Sequence, residues 1–279
     1  MSIEISSLSD HTGVEVTGVD LSQPVDDETR RRLNQAFVDH SVLVVRDQDL
    51  SADELLKAVS LFGEVFPQHN TRFALPECPQ IHYLSNQDRY ESGKRYIPGA
   101  GYHTDHSNDR TPPKATCLLA LQLPDSGGDT QYVNMHRAYE DLPDDTKSRI
   151  DGLVGVHVYQ SKHSERKLMG LSAEAKKKVP DAVSHPIVRT HPESGRKSLY
   201  LNPIRIESID GMPEAEALEL LGELLDHATQ EKYQYRHKWQ RGDLVMWDNR
   251  CLLHKANGDY DHSQTRYLYR VMLKGDTPF

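Results

Sequence analysis

From Gln80 to its end the chain alternates short strand-like runs with Gly, Asp, Asn and Pro turn signals. The runs are Ile81 to Leu84, Lys114 to Leu121, Thr130 to Val133, Leu199 to Leu201, Leu244 to Trp247 and Tyr267 to Leu273. Short strands broken by turns suggest a sandwich or a jelly roll. The earlier part adds strands at Ile3 to Ile5 and Val14 to Val16, and a buried β-branched run from Ser41 to Val45. Asp26-Asp27-Glu28 opens a helix to about His40, with Leu33 and Phe37 at helical spacing. Ser51-Ala52-Asp53-Glu54 has the form of a capping box, and its helix runs to about Phe62 before Gly63 stops it. Pro143 to Ile150 and Pro213 to Ala228 also read as helices. At 279 residues the chain can bury a sizeable core. No repeat or shift of composition marks a boundary, so residues 1–279 read as one domain. The polar stretch from about Tyr159 to Pro180, with five lysines and Arg166, reads as a solvated insertion or a lid, centred on 159–180.

Charge and cysteine content narrow the function. The formal net charge is −9, which argues against a nucleic-acid binder but not against a local cationic pocket. Cys78, Cys117 and Cys251 have no CxxC spacing, which excludes a disulfide framework and a cysteine zinc site. No signal peptide or membrane-length apolar run is evident, so a cytoplasmic protein is expected. The 15 histidines invite a search for a metal site.

The sharpest local feature is Tyr102-His103-Thr104-Asp105. On a strand, residues i and i+2 share a face, so His103 and Asp105 would present an imidazole nitrogen and a carboxylate oxygen side by side. An HxD pair alone is a weak signal. His254, after the strand at Trp247, is the candidate third ligand. Two histidines and a carboxylate leave three positions of an octahedral metal open, the arrangement of non-haem Fe(II) oxygenases. Zinc more commonly closes its site or takes a different ligand set. Arg266 and Arg270, four residues apart, share a face of a regular strand. Two guanidinium groups aimed into one cavity suit carboxylate-like anions; the plainer reading of the pair by itself is a solvent-facing strand. Asp248, Asn249 and Arg250 read as turn and supporting groups, His106 as structural or solvent-facing, and Trp239 and Trp247 as core.

His103-Thr104-Asp105, then Gly127-Gly128-Asp129-Thr130, then Trp247-Asp248-Asn249-Arg250 with His254, then Arg266 and Arg270 follow one another in order. In this the chain resembles the taurine dioxygenase family of Fe(II)/2-oxoglutarate oxygenases, which also contains aryloxyalkanoate dioxygenases and alkylsulfatases. The resemblance runs from Gly13 to Phe279. It implies a mainly β fold with flanking helices, a double-stranded β-helix or jelly roll. It implies that His103, Asp105 and His254 are the catalytic iron ligands and that Thr130 and Arg266 hold the distal carboxylate of 2-oxoglutarate. Arg270 would meet the substrate anion. Gln68 and His69 stand where the taurine enzymes carry a sulfonate-binding histidine, so one or the other would reach the substrate. Gly99 replaces a polar substrate contact of those enzymes, which argues against taurine itself.

The implied activity is hydroxylation of a C–H of a small anionic organic substrate, a carboxylate, sulfonate or sulfate, with Fe(II), 2-oxoglutarate and O2 and release of succinate and CO2. A hydroxyl placed on a carbon bearing a heteroatom would release the heteroatom group. Asp105 occupies the position that a halide takes in related halogenases, so hydroxylation is the default. A homo-oligomer without nucleic-acid or membrane partners is expected. The alternatives are a non-catalytic metal-dependent sensor on the same scaffold and a zinc hydrolase using the same three ligands. Succinate release separates the first and a requirement for O2 the second.

Overall fold

A computed structural model describes residues 3–68, 71–90, 93 and 95–279. Strands β1 (Glu4–Ser7) and β2 (Val14–Thr17) pair antiparallel. Helix α1 (Asp27–His40) starts at Asp26, whose carboxylate accepts from the Thr29 N–H, and ends where Ser41 adopts a left-handed backbone. Strand β3 (Val42–Val45) follows, and α2 (Ala52–Ser60) opens on the capping box formed by Ser51 and Glu54. Next come β4 (His82–Ser85), β5 (Ala115–Gln122), β6 (Thr130–Asn134), α3 (Met135–Glu140), α4 (Asp144–Ile150) and β7 (Val154–His157). Helix α5 (Ala173–Lys178) precedes β8 (Val183–Pro186), β9 (Val188–Thr190), β10 (Lys197–Leu199) and β11 (Ile206–Ile209). Helix α6 (Glu214–Ala228), β12 (Gln234–His237), β13 (Leu244–Asp248), β14 (Leu252–Ala256) and β15 (Tyr267–Leu273) complete the order.

The strands form a seven-stranded sheet, ordered β1-β2-β3-β13-β5-β15-β4, and a three-stranded sheet, β12-β6-β14. A second three-stranded sheet, β11-β7-β8, and the β10-β9 pair are not hydrogen-bonded to these. Side-chain alternation explains how the layers stack. In β3, Leu43 and Val45 join a core with Leu33 and Phe37 of α1 and Leu55 and Val59 of α2. Val42 and Val44 point the other way, into a core with Tyr132 of β6 and Leu252 of β14. Strand β13 divides in the same manner, Leu244 and Met246 toward the helices, Val245 and Trp247 toward the smaller sheet. A strand covered on both faces needs an unbroken apolar run, as Val42-Leu43-Val44-Val45 provides. On the far side of the smaller sheet, Val133 and Leu253 pack with Met135 and Ala138 of α3 and Leu220, Leu221 and Leu224 of α6. The order through the molecule is helices, large sheet, small sheet, helices, and the interior between the sheets is where inward polar residues can converge.

Several elements differ from the sequence reading. The run expected at Leu199 to Leu201 is a strand only as far as Leu199, starting at Lys197. The strand carrying His254 is not distinguished from the turn before it in the sequence, because only Asn249 to Cys251 separate β13 from β14. The 159–180 stretch is not uniformly polar at its surface: Ser161, Ser164, Met169 and Ala175 are buried, and it contains α5, capped by Ser172. Helix α5 has the sequence AEAKKK, which gives no apolar stripe to read.

Candidate active site

Strand alternation brings the inward residues together. On β14, Leu253 faces the outer helices, so Leu252 and His254 face the large sheet. On β6, Val133 faces outward, which turns Thr130 and Tyr132 inward. On β15, Val271 and Leu273 pack under α1 and α2, leaving Leu268 and Arg270 on the inner face. Thr130, His254, Arg266 and Arg270 accordingly line one cavity of about 160 Å³, together with His103 and Asp105.

His103 and Asp105 reach that cavity by a route that differs from the expected strand. His103 forms an isolated antiparallel bridge with His254: its N–H donates to the His254 carbonyl at 3.0 Å, and the His254 N–H donates back at 2.8 Å. The chain then turns, with His106 at φ 48. The His103 Nε2 lies 3.7 Å from Asp105 Oδ1, and the His254 Nε2 lies 3.8 Å from Asp105 Oδ2. One ligand atom from each of the three residues falls within 4.8 Å of the others.

These separations are too long for hydrogen bonds and too short for indifference. The His103 Nδ1 lies 2.9 Å from the Gly101 carbonyl, which can only accept, so Nδ1 carries the proton and Nε2 a lone pair. Burial, reinforced by the charges of His254 and Arg166, holds His103 well below its ordinary pKa, and burial pushes His254 down to about 4. Burial alone would raise Asp105, but the two imidazoles and Arg270 outweigh it and keep the carboxylate ionised. Two imidazole lone pairs and a carboxylate converging in a buried pocket match a divalent cation. Thr116 donates to Asp105 Oδ2 at 2.6 Å, and Asn249 Nδ2 donates to Thr116 Oγ1 at 2.9 Å. Asn249 also receives the Trp247 indole N–H at 3.1 Å. Asn249 therefore supports the carboxylate from behind, as a supporting group should.

A second cluster, His191, Asp248 and Cys251, has metal-ligand residue types but is already satisfied. His191 Nδ1 accepts two backbone N–H groups and its Nε2 meets Asp248 at 3.0 Å. Arg250 engages both oxygens of Asp248, down to 2.6 Å. A metal would have to break an ion pair that burial has made strong.

Beside the triad, the Arg266 Nε donates to the Gly128 carbonyl at 2.9 Å. The close turn that brings this carbonyl in requires glycine at 127: an added Cβ would meet the Asp259 carbonyl oxygen at 2.3 Å. Thr130 Oγ1 accepts from the Trp239 indole N–H at 3.0 Å, and the Arg266 guanidinium lies over the Trp239 ring at 5.9 Å. Trp239, read as core from the sequence, thus touches both Thr130 and Arg266. With the Thr130 oxygen accepting from Trp239, its own O–H remains to donate to an anion beside Arg266.

Arg270 donates to Gln68 Oε1 at 2.5 Å. Its Nε and the Gln68 Nε2 are buried donors with no partner among the described residues. Neither Asp259 nor Glu207 takes Arg270 as an ion-pair partner, since Asp259 pairs with Arg236 and Glu207 with Lys162. His69 lies outside the described residues. Gly99 lines the cavity at φ 81, a backbone that disfavours any side chain, and a Cβ there would press on Ala256 at 3.3 Å. Local geometry therefore favours glycine at this point of the wall. Arg166 and Arg205 complete the cationic lining; no spacing in the sequence marked either, because each depends on a distant segment folding over the site.

The family model described as taurine catabolism dioxygenase TauD, TfdA family matches residues 4–272. The chain belongs to the TauD/TfdA dioxygenase family. It is 34% identical to the alpha-ketoglutarate-dependent 2,4-dichlorophenoxyacetate dioxygenase of Cupriavidus pinatubonensis, over 99% of each chain. It is 31% identical to an alkylsulfatase of Acinetobacter baylyi, over 98% of this chain and 86% of the other. The crystal structure of AAD-2 in complex with Mn(II) and N-oxalylglycine superposes with a TM-score of 0.84 at 32% identity, over 100% of this chain and 99% of that one. This TauD/TfdA protein is an oxidoreductase, a 2-oxoglutarate-dependent dioxygenase whose cofactor set is Fe(II), 2-oxoglutarate and O2. Among its described residues, no helix is long and apolar enough to cross a membrane.

Proposed function

We propose that His103, Asp105 and His254 hold Fe(II), that Thr130 and Arg266 hold the distal carboxylate of 2-oxoglutarate, and that Arg270 with Gln68 anchors the substrate. The substrate class is a small organic acid: a carboxylate, sulfonate or sulfate. The two stacked sheets are taken as the halves of a single jelly-roll domain, and 159–180 as its lid. The observation that carries this reading is the convergence of three lone-pair donors and two inward arginines on one cavity.

Fe(II) bound there with 2-oxoglutarate supplies activated O2 for oxidising a substrate C–H, with succinate and CO2 as by-products. The protein does the positioning. Thr116 and Asn249 fix the Asp105 carboxylate, and the Gly101 carbonyl fixes the His103 tautomer. Arg266 offers its guanidinium fork to one carboxylate while Thr130 donates its hydroxyl to the same group. Arg270, with a buried unpartnered Nε, needs an anion to complete its hydrogen bonds. Tyr159, Leu168 and Met169 cover the cavity and keep water from the reacting C–H. The activities for which these relatives are named, on an aryloxyacetate and as an alkylsulfatase, each involve an anionic substrate and support this class.

The test is a panel of aryloxy acids, alkyl sulfates, sulfonates and simple carboxylates, scored by substrate-stimulated succinate formation. Acids should stimulate and neutral isosteres should not. Arg270→Gln should raise KM for the best acid by about ten- to a hundredfold, the loss of a charge-assisted contact. A neutral compound that outperforms its acid would remove Arg270 as the anchor.

A further inference from the structure

Arg166 and Arg205 are a second cationic pair in the cavity wall that the reading above does not use. Arg166 comes from the 159–180 segment and Arg205 from the turn leading into β11, whereas Arg270 comes from the large sheet. Arg205 donates to the Tyr159 carbonyl at 2.7 Å and lies over the Tyr159 ring at 5.3 Å. The Arg166 Nη1 is buried with no hydrogen-bond partner among the described residues. Neither guanidinium has a carboxylate partner among the described residues. Their like charges act on each other, and burial with that repulsion pushes Arg205 down to about 10.

Two adjacent unneutralised guanidinium groups in a partly dry wall are unfavourable unless an anion sits between them. The wall's own acids do not serve. Asp105 belongs to the metal, and Asp88, raised by burial, faces Tyr83 and the charge of Arg72. Fe(II) and 2-oxoglutarate carry equal and opposite charge, so loading the cofactors leaves the cationic excess in place. The same cavity wall also carries apolar and aromatic side chains, among them Phe73, Leu168, Met169 and Ile204.

We propose that the cavity takes a substrate with two anionic groups, one held by Arg270 and the other by Arg166 and Arg205. The chemical class is a dicarboxylate, or a carboxylic acid bearing a second carboxylate, sulfate or sulfonate, with an apolar or aryl middle. This rests on the proposed assignment of Arg270 as a substrate anchor and adds a second subsite to it. Because Arg166 is carried by the covering segment, the second anion also ties that segment down over the site.

The experiment compares matched pairs: phenoxyacetate with 4-carboxyphenoxyacetate, and hexyl sulfate with 6-sulfooxyhexanoate. Binding is measured calorimetrically without O2 on the full chain loaded with Fe(II) and 2-oxoglutarate, and succinate release is measured in air. In at least one pair the dianion should bind about ten- to a hundredfold more tightly than the monoanion. Arg166→Gln and Arg205→Gln should reduce that ratio to near one, whereas Arg270→Gln weakens both members of the pair. Equal binding of monoanion and dianion in both pairs, with monoanions still stimulating succinate release, overturns the second subsite alone. Silence of all four compounds in both measurements overturns the anchoring role of Arg270 as well. The ratio on the unmodified protein decides the matter even where a variant does not fold.

Discussion

Thr116 shows how much of this site is set by residues with no metal-binding chemistry of their own. Its hydroxyl donates to Asp105 at 2.6 Å while accepting from Asn249 at 2.9 Å, so the carboxylate is held from one side only. Thr116→Val keeps the shape and removes the donor. Fe(II) affinity should fall by about ten- to a hundredfold, measured by metal titration of the apoprotein; unchanged affinity would mean that the bond does not orient the ligand. Trp239 is the parallel case for 2-oxoglutarate. Trp239→Phe leaves the ring near Arg266 but lets the Thr130 hydroxyl rotate. KM for 2-oxoglutarate should rise roughly two- to tenfold with kcat little changed, the size of one neutral hydrogen bond. An equal loss in kcat would instead point to disturbed packing around Trp247. The convergence of His103, Asp105 and His254, the proposed metal residues, was legible in the sequence because HxD is a compact pattern and His254 follows a recognisable strand. Trp239, Arg166 and Arg205 were not, because nothing local says that an indole N–H will find a threonine on a neighbouring strand.

At the scale of elements, the strongly patterned segments were the readable ones. The Ser51 capping box, the Asp26 cap and the run at Val42 to Val45 each carry a local physical cause, and each forms where expected. Strands β7, β8, β9 and β11 are short and hold neither clean alternation nor an apolar run, so only their partners make them strands. The 159–180 segment is intermediate. Its first part is tied to the body of the protein, the Ser161 N–H donating to the Ile204 carbonyl and the Lys162 N–H to Glu207, while Tyr159 Oη donates to the Met169 carbonyl at 2.8 Å and Gln160 accepts from the Leu168 N–H at 2.7 Å, so the part from Leu168 onward hangs on bonds within the segment. A stretch anchored only through its own segment opens at low free energy. Its amides should exchange rapidly in the apoprotein and slow at least severalfold with Fe(II), 2-oxoglutarate and the best acid of the panel, while β13 stays protected in both states. Equal exchange with and without ligands would argue against a lid.

For the molecule as a whole, buried histidines set the response to acid. Burial pushes His82 and His157 down to about 3 and His136 to about 4, from an ordinary value of 6.5. All three are neutral in the folded chain at pH 5, whereas the unfolded chain takes up protons below pH 6.5. Their stabilising effect is therefore complete above pH 6.5 and is lost as pH falls toward 3 or 4. Each such histidine costs up to about 1.4 kcal/mol per pH unit in that window. The thermal midpoint of the apoprotein should drop by at least about 5 °C between pH 7 and pH 5. A midpoint that is flat across that range would mean that the imidazoles are protonated within the fold. The same scale separates what the sequence could and could not say about architecture. Runs of alternating and unbroken apolar residues indicated stacked sheets, but which strands neighbour each other rests on long-range pairings such as β13 between β3 and β5.

The reciprocal backbone bridge between His103 and His254 has one more consequence. These two residues stand about 150 positions apart, and a single ion would clasp both side chains while their peptide groups are already paired. Such an ion is a cross-link, closing a ring that takes in about half of the chain. Constraining a loop of this length in the unfolded ensemble is worth about 5 kcal/mol when the link is covalent, and a tightly coordinated ion approaches the same limit while it stays bound. In a chain whose three cysteines are all buried and unpaired, iron would serve as the missing staple. Stripping the metal would then loosen the scaffold at the seam where its two halves meet.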